Sequence, residues 1–180
     1  MNKLKYLFAG LLCIFCIEIK AQDSDKKMEE SSSLLAGYHA GIVQIMFAVN
    51  KDNFTTLDKY DFYFIGFPFG ITFNTNGKLK FDLEFVPIIK PYFNSGVPIQ
   101  VHLLFHPGIL YPLGKGWTFG FRLAYENSVN QIGFTPLINK GFKRKNNSVF
   151  FLELVAPARF GPEKNSGYTQ LGGLHIGIGF

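Results

Sequence analysis

Eight stretches of this chain alternate between large apolar residues and small or polar ones with a period of two. Because successive side chains of a β-strand point to opposite faces, this alternation predicts strands. Turn signals separate the stretches, such as "NTNGK", which contains the hairpin dipeptide Asn76-Gly77, and "PLGKG". The stretches cover residues 38–49, 61–74, 78–92, 98–113, 117–128, 131–142, 148–162 and 168–180.

The chemical character of the two faces indicates the class of fold. An eight-stranded barrel has an interior just wide enough for side chains, and aromatic residues from every strand would overfill it. We therefore expect the aromatic faces to contact lipid, and glycine, histidine and charged residues to fill the interior. The sequence thus predicts an all-β protein, an eight-stranded antiparallel up-and-down transmembrane β-barrel in residues 36–180. In the fifth stretch the aromatic face carries Trp117, Phe119, Phe121, Leu123 and Tyr125, and the other face carries Thr118, Gly120, Arg122, Ala124 and Glu126.

The first 35 residues have a different character from the rest of the chain. Lys3 and Lys5 precede the apolar run "LFAGLLCIFCI", which is the pattern of a secretory signal peptide, and we assign residues 1–22 to it. Residues 23–35 are polar and lack a period, which predicts a flexible periplasmic tail. Both cysteines lie in the predicted signal peptide, and neither follows the small residue that a lipid-modified cysteine needs. We therefore expect no lipoprotein anchor.

The end of the sequence carries the most specific pattern. Tyr168, Leu174, Ile176, Ile178 and Phe180 are apolar residues at even-numbered positions that finish on an aromatic. With the eight strands, this pattern resembles the small outer-membrane barrels of Gram-negative bacteria, such as the OmpA transmembrane domain and OmpX. The resemblance implies an outer-membrane location, contact with outer-membrane lipid, and recognition of the terminal residues by the barrel-assembly machinery.

An even number of strands places both chain ends on one side of the membrane. The turns at 74–78, 113–116 and 142–148 are then periplasmic, and the loops at 50–60, 92–97, 126–131 and 159–168 face outward. Aromatic residues fall near both rims, which is typical of the aromatic girdles of such barrels. The outer group is Tyr60, Tyr63, Tyr92, Tyr125 and Tyr168, and the inner group is Phe73, Tyr111, Trp117 and Phe180.

Charged residues on the small-residue face predict a polar network in the lumen. Glu84, Arg122, Glu153 and His175 each lie about five or six residues into their strands from the predicted periplasmic turns, so we expect them in one layer. Buried opposite charges must pair, and the planar guanidinium of Arg122 can bridge two carboxylates. The alternative is a gated pore with Arg122 as its latch. Further members of the predicted network are Asp82, His102, His106 and Glu126, with Gln44 nearby.

No enzymatic motif stands out. Barrel enzymes that modify lipid A use a serine near a histidine and an acid, whereas the strands here contain few serines and no Gly-x-Ser-x-Gly elbow. His102 and His106 would lie about 13 Å apart at roughly 3.3 Å per residue, too far to bind one metal ion. We expect no metal and no cofactor. The basic segment 140–147 reads as a solvated turn, and an exported protein rarely meets nucleic acid.

The sequence leaves three functions open. The first is a non-enzymatic structural or protein-interaction role in the cell envelope, in which the barrel stabilises the membrane or docks to an envelope complex. The second is the passage of small apolar molecules, as the OmpW family does. The third is a lipid-modifying enzyme of the outer membrane.

Overall fold

The chain forms antiparallel β-strands throughout the residues that the computed structural model describes, which are 33–50, 53–57, 64–91, 99–128, 130–161 and 167–180. These residues fall in one unit, Ser32–Phe180. The strands are β1 (Leu35–Asn50), β2 (Asn53–Thr56), β3 (Ile65–Gly66), β4 (Phe69–Asn74), β5 (Lys80–Pro91), β6 (Ile99–Gly114), β7 (Trp117–Glu126), β8 (Gln131–Lys143), β9 (Val149–Val155), β10 (Ala158–Gly161) and β11 (Gly167–Gly179).

The strands close into a ring. Each long strand pairs with the next along the chain, from β5 to β9, and β11 pairs with β1 to complete the circle. β2, β3 and β4 all pair with the same side of β1, and β9 and β10 both lie between β8 and β11. Each of these two sets therefore occupies one position, and the ring has eight strands. This confirms the prediction of an all-β antiparallel fold.

Two prolines interrupt strands without opening the ring. Pro68 separates β3 from β4, and Pro157 separates β9 from β10. Proline has no amide hydrogen to donate to a neighbouring strand, so the ladder breaks at these points. Their carbonyl groups still accept hydrogen bonds, from the amide of Gly41 at 2.9 Å for Pro68 and from the amide of Leu171 at 2.7 Å for Pro157.

The seam between the first and last strands is rich in glycine on the β11 side. His39 pairs with Gly179, Gly41 with Gly177, and Ile45 with Gly173. Beyond this seam Tyr38 and Phe180 exchange two backbone hydrogen bonds, of 3.0 and 2.8 Å. A Cβ at Gly177 would lie 2.5 Å from the Ala40 carbonyl oxygen of β1, and one at Gly41 would lie 2.4 Å from the Ile176 carbonyl oxygen of β11. The close approach of the two strands therefore depends on these glycines.

The turns fall into two groups at opposite ends of the ring. One end holds the turns β4–β5, β6–β7 and β8–β9 together with the start of β1 and the end of β11. The β6–β7 turn is tight, with positive φ at Lys115 (50°) and Gly116 (81°). This is the backbone conformation that two-residue hairpins favour. The other end holds the connections β2–β3, β5–β6, β7–β8 and β10–β11, parts of which lie outside the described residues.

The observed strands match the described parts of all eight predicted stretches within a few residues, and two of the stretches are interrupted, at 67–68 and 156–157. Leu35, the last residue of the predicted tail 23–35, begins β1 and pairs with Phe73 of β4, and the Asn74 amide donates to the Leu34 carbonyl; residues 23–32 lie outside the described residues. The predicted outer loop 50–60 contains β2, which pairs with the end of β1 and is fixed by backbone hydrogen bonds. The predicted signal peptide, residues 1–22, lies outside the described residues.

The two faces of the sheet are chemically opposite. Large apolar side chains are exposed on the outside of all eight strand positions, whereas charged and polar residues are buried inside the ring. In β7, Phe119, Phe121, Leu123 and Tyr125 are exposed, and Arg122, Ala124 and Glu126 are buried. Of the predicted aromatic rims, Tyr60, Tyr63 and Tyr92 lie outside the described residues; Tyr125, Tyr168, Tyr111 and Phe180 are exposed.

In the described ranges, no helix has the length and hydropathy needed to span a membrane.

Candidate functional site: a polar network inside the ring

Arg122 is the centre of the polar network. Its Nε donates to Asp82 Oδ2 at 2.8 Å, its Nη1 donates to Glu153 Oε1 at 3.1 Å, and its Nη2 lies 3.4 Å from Glu84 Oε2. All four side chains are buried. Asp82 and Glu84 are on β5 and Glu153 is on β9, so the guanidinium on β7 reaches across a strand in each direction.

Three histidines surround this cluster, and each contacts a carboxylate. His106 Nδ1 lies 3.0 Å from Glu84 Oε1, and His175 Nδ1 lies 2.9 Å from Glu153 Oε1. His39 faces two carboxylates, with Nε2 3.2 Å from Glu84 Oε2 and Nδ1 3.8 Å from Asp82 Oδ1. Each carboxylate of the cluster therefore has a histidine neighbour in addition to Arg122.

Uncharged side chains satisfy the remaining carboxylate oxygens. The Thr72 hydroxyl donates to Asp82 Oδ1 at 2.8 Å, and Asn139 Nδ2 donates to Glu153 Oε2 at 3.2 Å. Burying a carboxylate without hydrogen-bond donors is unfavourable, and these contacts reduce that free-energy cost. Among the described residues, one buried side-chain nitrogen, His175 Nε2, has no hydrogen-bond partner. Its ring packs edge-on against Phe151, with ring centroids 4.9 Å apart.

A second polar group lies further along the interior. His102 Nδ1 contacts Glu126 Oε1, and both residues are buried. Thr135 extends the first cluster, because its hydroxyl lies 2.9 Å from His106 Nε2 and accepts a hydrogen bond from Arg159 Nη1 at 3.3 Å. Hydrogen bonds and ion pairs thus run continuously from Asp82 on β5 to Arg159 on β10.

Apolar side chains occupy the interior beside the polar groups. Val86, Ile88, Leu104 and Ala124 form a buried cluster, and Val43 and Phe64 pack against it. On β5 this cluster follows directly after Asp82 and Glu84 in the direction of the β5–β6 connection. The His102–Glu126 pair lies at the same level, since Ile88 pairs with His102 and Leu104 pairs with Glu126. The ion-paired layer is therefore followed by a layer that combines apolar side chains with one histidine–glutamate pair.

The formal charges of the first cluster do not cancel with neutral histidines. Asp82, Glu84 and Glu153 carry three negative charges, and Arg122 carries one positive charge. Burying an uncompensated charge is costly. Of the contacting histidines, His39 lies between two of these carboxylates, with Nε2 3.2 Å from Glu84 Oε2 and Nδ1 3.8 Å from Asp82 Oδ1. A protonated His39 would therefore reduce the imbalance of charge.

The space for Arg122 is created by a glycine on the neighbouring strand. Gly108 pairs with Arg122, and a Cβ there would lie 2.5 Å from Arg122 Cγ and 2.6 Å from the Phe121 carbonyl oxygen. Gly41 plays the same part for His175, whose Nε2 would lie 2.6 Å from an added Cβ. The small residues of the inward face thus leave the space that its long charged side chains occupy.

The structure brings most of the sequence-predicted residues together. Asp82, Glu84, Arg122, Glu153, His106 and His175 share one cluster, and His102 and Glu126 form the neighbouring group. The prediction that Gln44 lies near the network is wrong. Gln44 is on the outward register of β1 with Ile42 and Met46, and its amide donates to the carbonyls of Ile45 and Phe64.

Five residues of the network were not identified from the sequence: His39, Thr72, Thr135, Asn139 and Arg159. The signal that could have found Thr135 and Asn139 is their spacing on β8, which places them on the face opposite Pro136 and Ile138. Arg159 follows the proline break at Pro157, where the alternation restarts. His39 is two residues before Gly41 on the inward face of β1.

Two arrangements in the network invite a chemical interpretation. Thr135, His106 and Glu84 form a hydroxyl–imidazole–carboxylate series, which is the order of a hydrolase triad. The Thr135 hydroxyl is buried and also bonded to Arg159, so a substrate carbonyl has no approach through the described residues. The serines Ser128 and Ser148 bond to Asn127 and Asn146 and contact no histidine.

The second arrangement is a set of three possible metal ligands. His39, Asp82 and Glu84 offer ligand atoms within 4.8 Å of one another. Arg122 already contacts both acids, with Nε 2.8 Å from Asp82 Oδ2 and Nη2 3.4 Å from Glu84 Oε2, and a metal ion would compete with this cation. The geometry therefore fits an ion-paired cluster better than a metal centre.

The predicted assembly-signal residues lie on β11 and just after it. Ile176 and Phe180 are exposed on the outer face, whereas Leu174 and Ile178 on the same register are half-buried. Backbone hydrogen bonds with Tyr38 fix Phe180.

No protein-family model matches the sequence, and no curated protein matches it.

Proposed function

We propose that this protein is an eight-stranded transmembrane β-barrel of the outer membrane with a non-enzymatic structural or docking role. The observation that carries the proposal is the inversion of the two faces, with apolar side chains outside and an ion-paired network inside. A monomeric protein in water rarely exposes an apolar surface larger than a few hundred Å². Here such residues encircle the ring, and the backbone of a closed ring has no unpaired edge to expose to lipid.

The filled interior favours a structural role over transport. Arg122 ties β5, β7 and β9 together across the bore, and in the adjacent layer Val86, Ile88 and Leu104 are buried at the level of the His102–Glu126 pair. An ion or solute entering from either end would have to displace charged groups that are already paired. Removing one partner of a buried ion pair is strongly unfavourable, so the network acts as a plug.

Cell fractionation tests the location, and conductance tests the role. We expect the protein in the outer-membrane fraction, with a folded form that migrates differently from the boiled form in detergent gels. In a planar bilayer the refolded protein should give no stable channel. Recovery as a soluble periplasmic protein would contradict the membrane proposal. Steady conductance would contradict the plug and favour the passage of small solutes.

A second candidate function is suggested by the Thr135–His106–Glu84 series, which has the order required for acyl transfer. If Thr135 were a nucleophile, T135V would abolish ester hydrolysis by the refolded barrel in mixed micelles containing lipid A or phospholipid. If the series is structural, wild-type protein shows no hydrolysis and T135V lowers thermal stability. The burial of the hydroxyl and its bond to Arg159 favour the second result.

A further inference from the structure

Seven cations lie at one end of the ring; Lys80 is partly buried on the inward register of β5, and the other six are considered together. The three short turns, β4–β5, β6–β7 and β8–β9, and the strand ends beside them carry no aspartate or glutamate from residue 74 to 80, 113 to 117 and 140 to 149. None of the cations forms an ion pair with a carboxylate among the described residues, and five of the six are exposed, Lys140 being partly buried. We call this set the basic rim: Lys78, Lys115, Lys140, Lys143, Arg144 and Lys145.

The basic rim borders the outward apolar face directly. Lys140 pairs with Trp117 across β7 and β8, and its ammonium lies 4.9 Å from the centroid of the Trp117 ring. The same ammonium donates to the Lys115 carbonyl at 2.8 Å. Leu113 and Phe142, next to these turns, are exposed apolar residues. Lysine and arginine at such a boundary keep their aliphatic stems on apolar surface and their charges in water.

The cations occupy all three turns at this end of the ring, although five of the six lie on the adjacent β6–β7 and β8–β9 turns and the strand ends beside them. The end of the outward apolar band passes directly below these turns. Lipids that surround a barrel contact every sector, and their phosphates lie at the level where the apolar band ends.

We propose that the basic rim binds the phosphate headgroups of anionic phospholipids in the leaflet at this end of the barrel. The inference rests on the proposed membrane-spanning function and names its lipid partner. Each lysine or arginine near an anionic membrane surface strengthens association, and the effect weakens with salt. Arg144 can in addition hold a phosphate through two parallel hydrogen bonds.

Trp117 provides the readout, because it is the only tryptophan of the chain and lies at the rim. Protein refolded in vesicles is titrated with brominated phosphatidylcholine or brominated phosphatidylglycerol, both of which quench tryptophan at short range. We expect the affinity near Trp117 for the anionic lipid to exceed that for the zwitterionic lipid by about fivefold or more at low salt, the effect of a single nearby cation. High salt should remove the preference.

A neutral variant and a charge-conserving variant separate charge from side-chain identity. K115Q/K140Q should reduce the preference to within about twofold, since the two cations beside Trp117 are gone. K115R/K140R should keep it. Retention of the preference in the neutral variant, or equal quenching by the two lipids in the wild type, would overturn the proposal.

Two further outcomes identify other causes. Loss of the preference on adding millimolar inorganic phosphate would show a site for free anions and would overturn the lipid assignment. Absence of quenching by either brominated lipid, with no heat-modifiable form, would mean that the protein does not insert, and this refutes the proposed membrane function itself. Insertion with equal quenching refutes only the lipid preference.

Discussion

Arg122 and Glu153 meet across the interior from strands that are not neighbours, with Nη1 3.1 Å from Oε1 and β8 lying between them. On its other side Arg122 reaches Asp82 over β6. One side chain thus connects three alternate strands of the ring. The backbone ladder holds adjacent strands together, and this ion-paired contact fixes the cross-section of the ring.

Replacing Arg122 by alanine should destabilise the folded protein strongly. Three buried carboxylates lose their shared cation, and breaking a buried ion pair costs about 3 to 5 kcal/mol. Urea unfolding of the refolded protein in vesicles measures the change in the free energy of unfolding. R122A/E153L should recover part of the loss, because it also removes one stranded charge. If R122A melts like the wild type but conducts ions, Arg122 is a latch.

An added methyl group should lower the stability of the fold at Gly108, which lies beside Arg122, and leave it unchanged at Gly77. In G108A the new methyl group meets Arg122 and the Phe121 carbonyl oxygen, and overpacking of this kind costs about 1 to 3 kcal/mol. G77A is the matched control, because a Cβ at Gly77 has no atom within 4 Å. The two variants are compared by thermal unfolding. Equal melting temperatures would show that the Arg122 side chain can move aside freely.

Phe180 allows the assembly signal to be separated from folding stability. Its backbone is bonded to Tyr38, whereas its side chain is 70% exposed, as is that of Leu34 at the same end of the ring. F180A and L34A should each change the free energy of unfolding by within about 0.5 kcal/mol, which is usual for exposed positions. In cells F180A should lower the amount of folded barrel in the outer membrane, and L34A should not. Equal cellular amounts of the two variants would argue against a terminal recognition signal.

Arginine substitutions on the outer face test whether lipid surrounds it. Leu123 in β7 is 59% exposed and Leu113 at the end of β6 is 56% exposed, so the two differ mainly in depth. In a bilayer, L123R should cost about 2 to 4 kcal/mol, and L113R at the rim about 0 to 1 kcal/mol. In water both changes would be nearly neutral. Unfolding titrations of both variants in vesicles measure the difference.

The alternation on β5, β7 and β9 was sufficient to predict which residues enter the interior. Glu84, Arg122 and Glu153 stand among large apolar neighbours on regular strands, so counting from the turns gave their common depth. Their ion-pair partners could be predicted only in part, because the sequence does not specify how far a guanidinium reaches across a ring. In the structure Arg122 contacts Asp82 in addition to the two predicted acids.

β1 shows why the remaining part of the site was missed. Its inward face contains Val43 and Ile45 as well as His39, so polarity alone does not distinguish the two faces, and Gln44 was placed on the wrong side. A register shift between Ile45 and Phe47 breaks the period further along. Similarly, β2 follows so closely on β1 that its four residues read as a loop. Long-range pairing decides both features, and a local pattern does not contain it.

The glycine-rich seam has a kinetic consequence. β1 and β11 come from opposite ends of the described chain, whereas each of the other long strands pairs with a neighbour in sequence. Contacts between distant segments carry the largest loop-closure entropy and tend to form late. Hairpins such as β5–β6 are then available early, and closure of the circle waits for β11. A larger side chain at Gly41 or Gly177 would chiefly slow this closing step. An open sheet with two unpaired edges would then accumulate during folding.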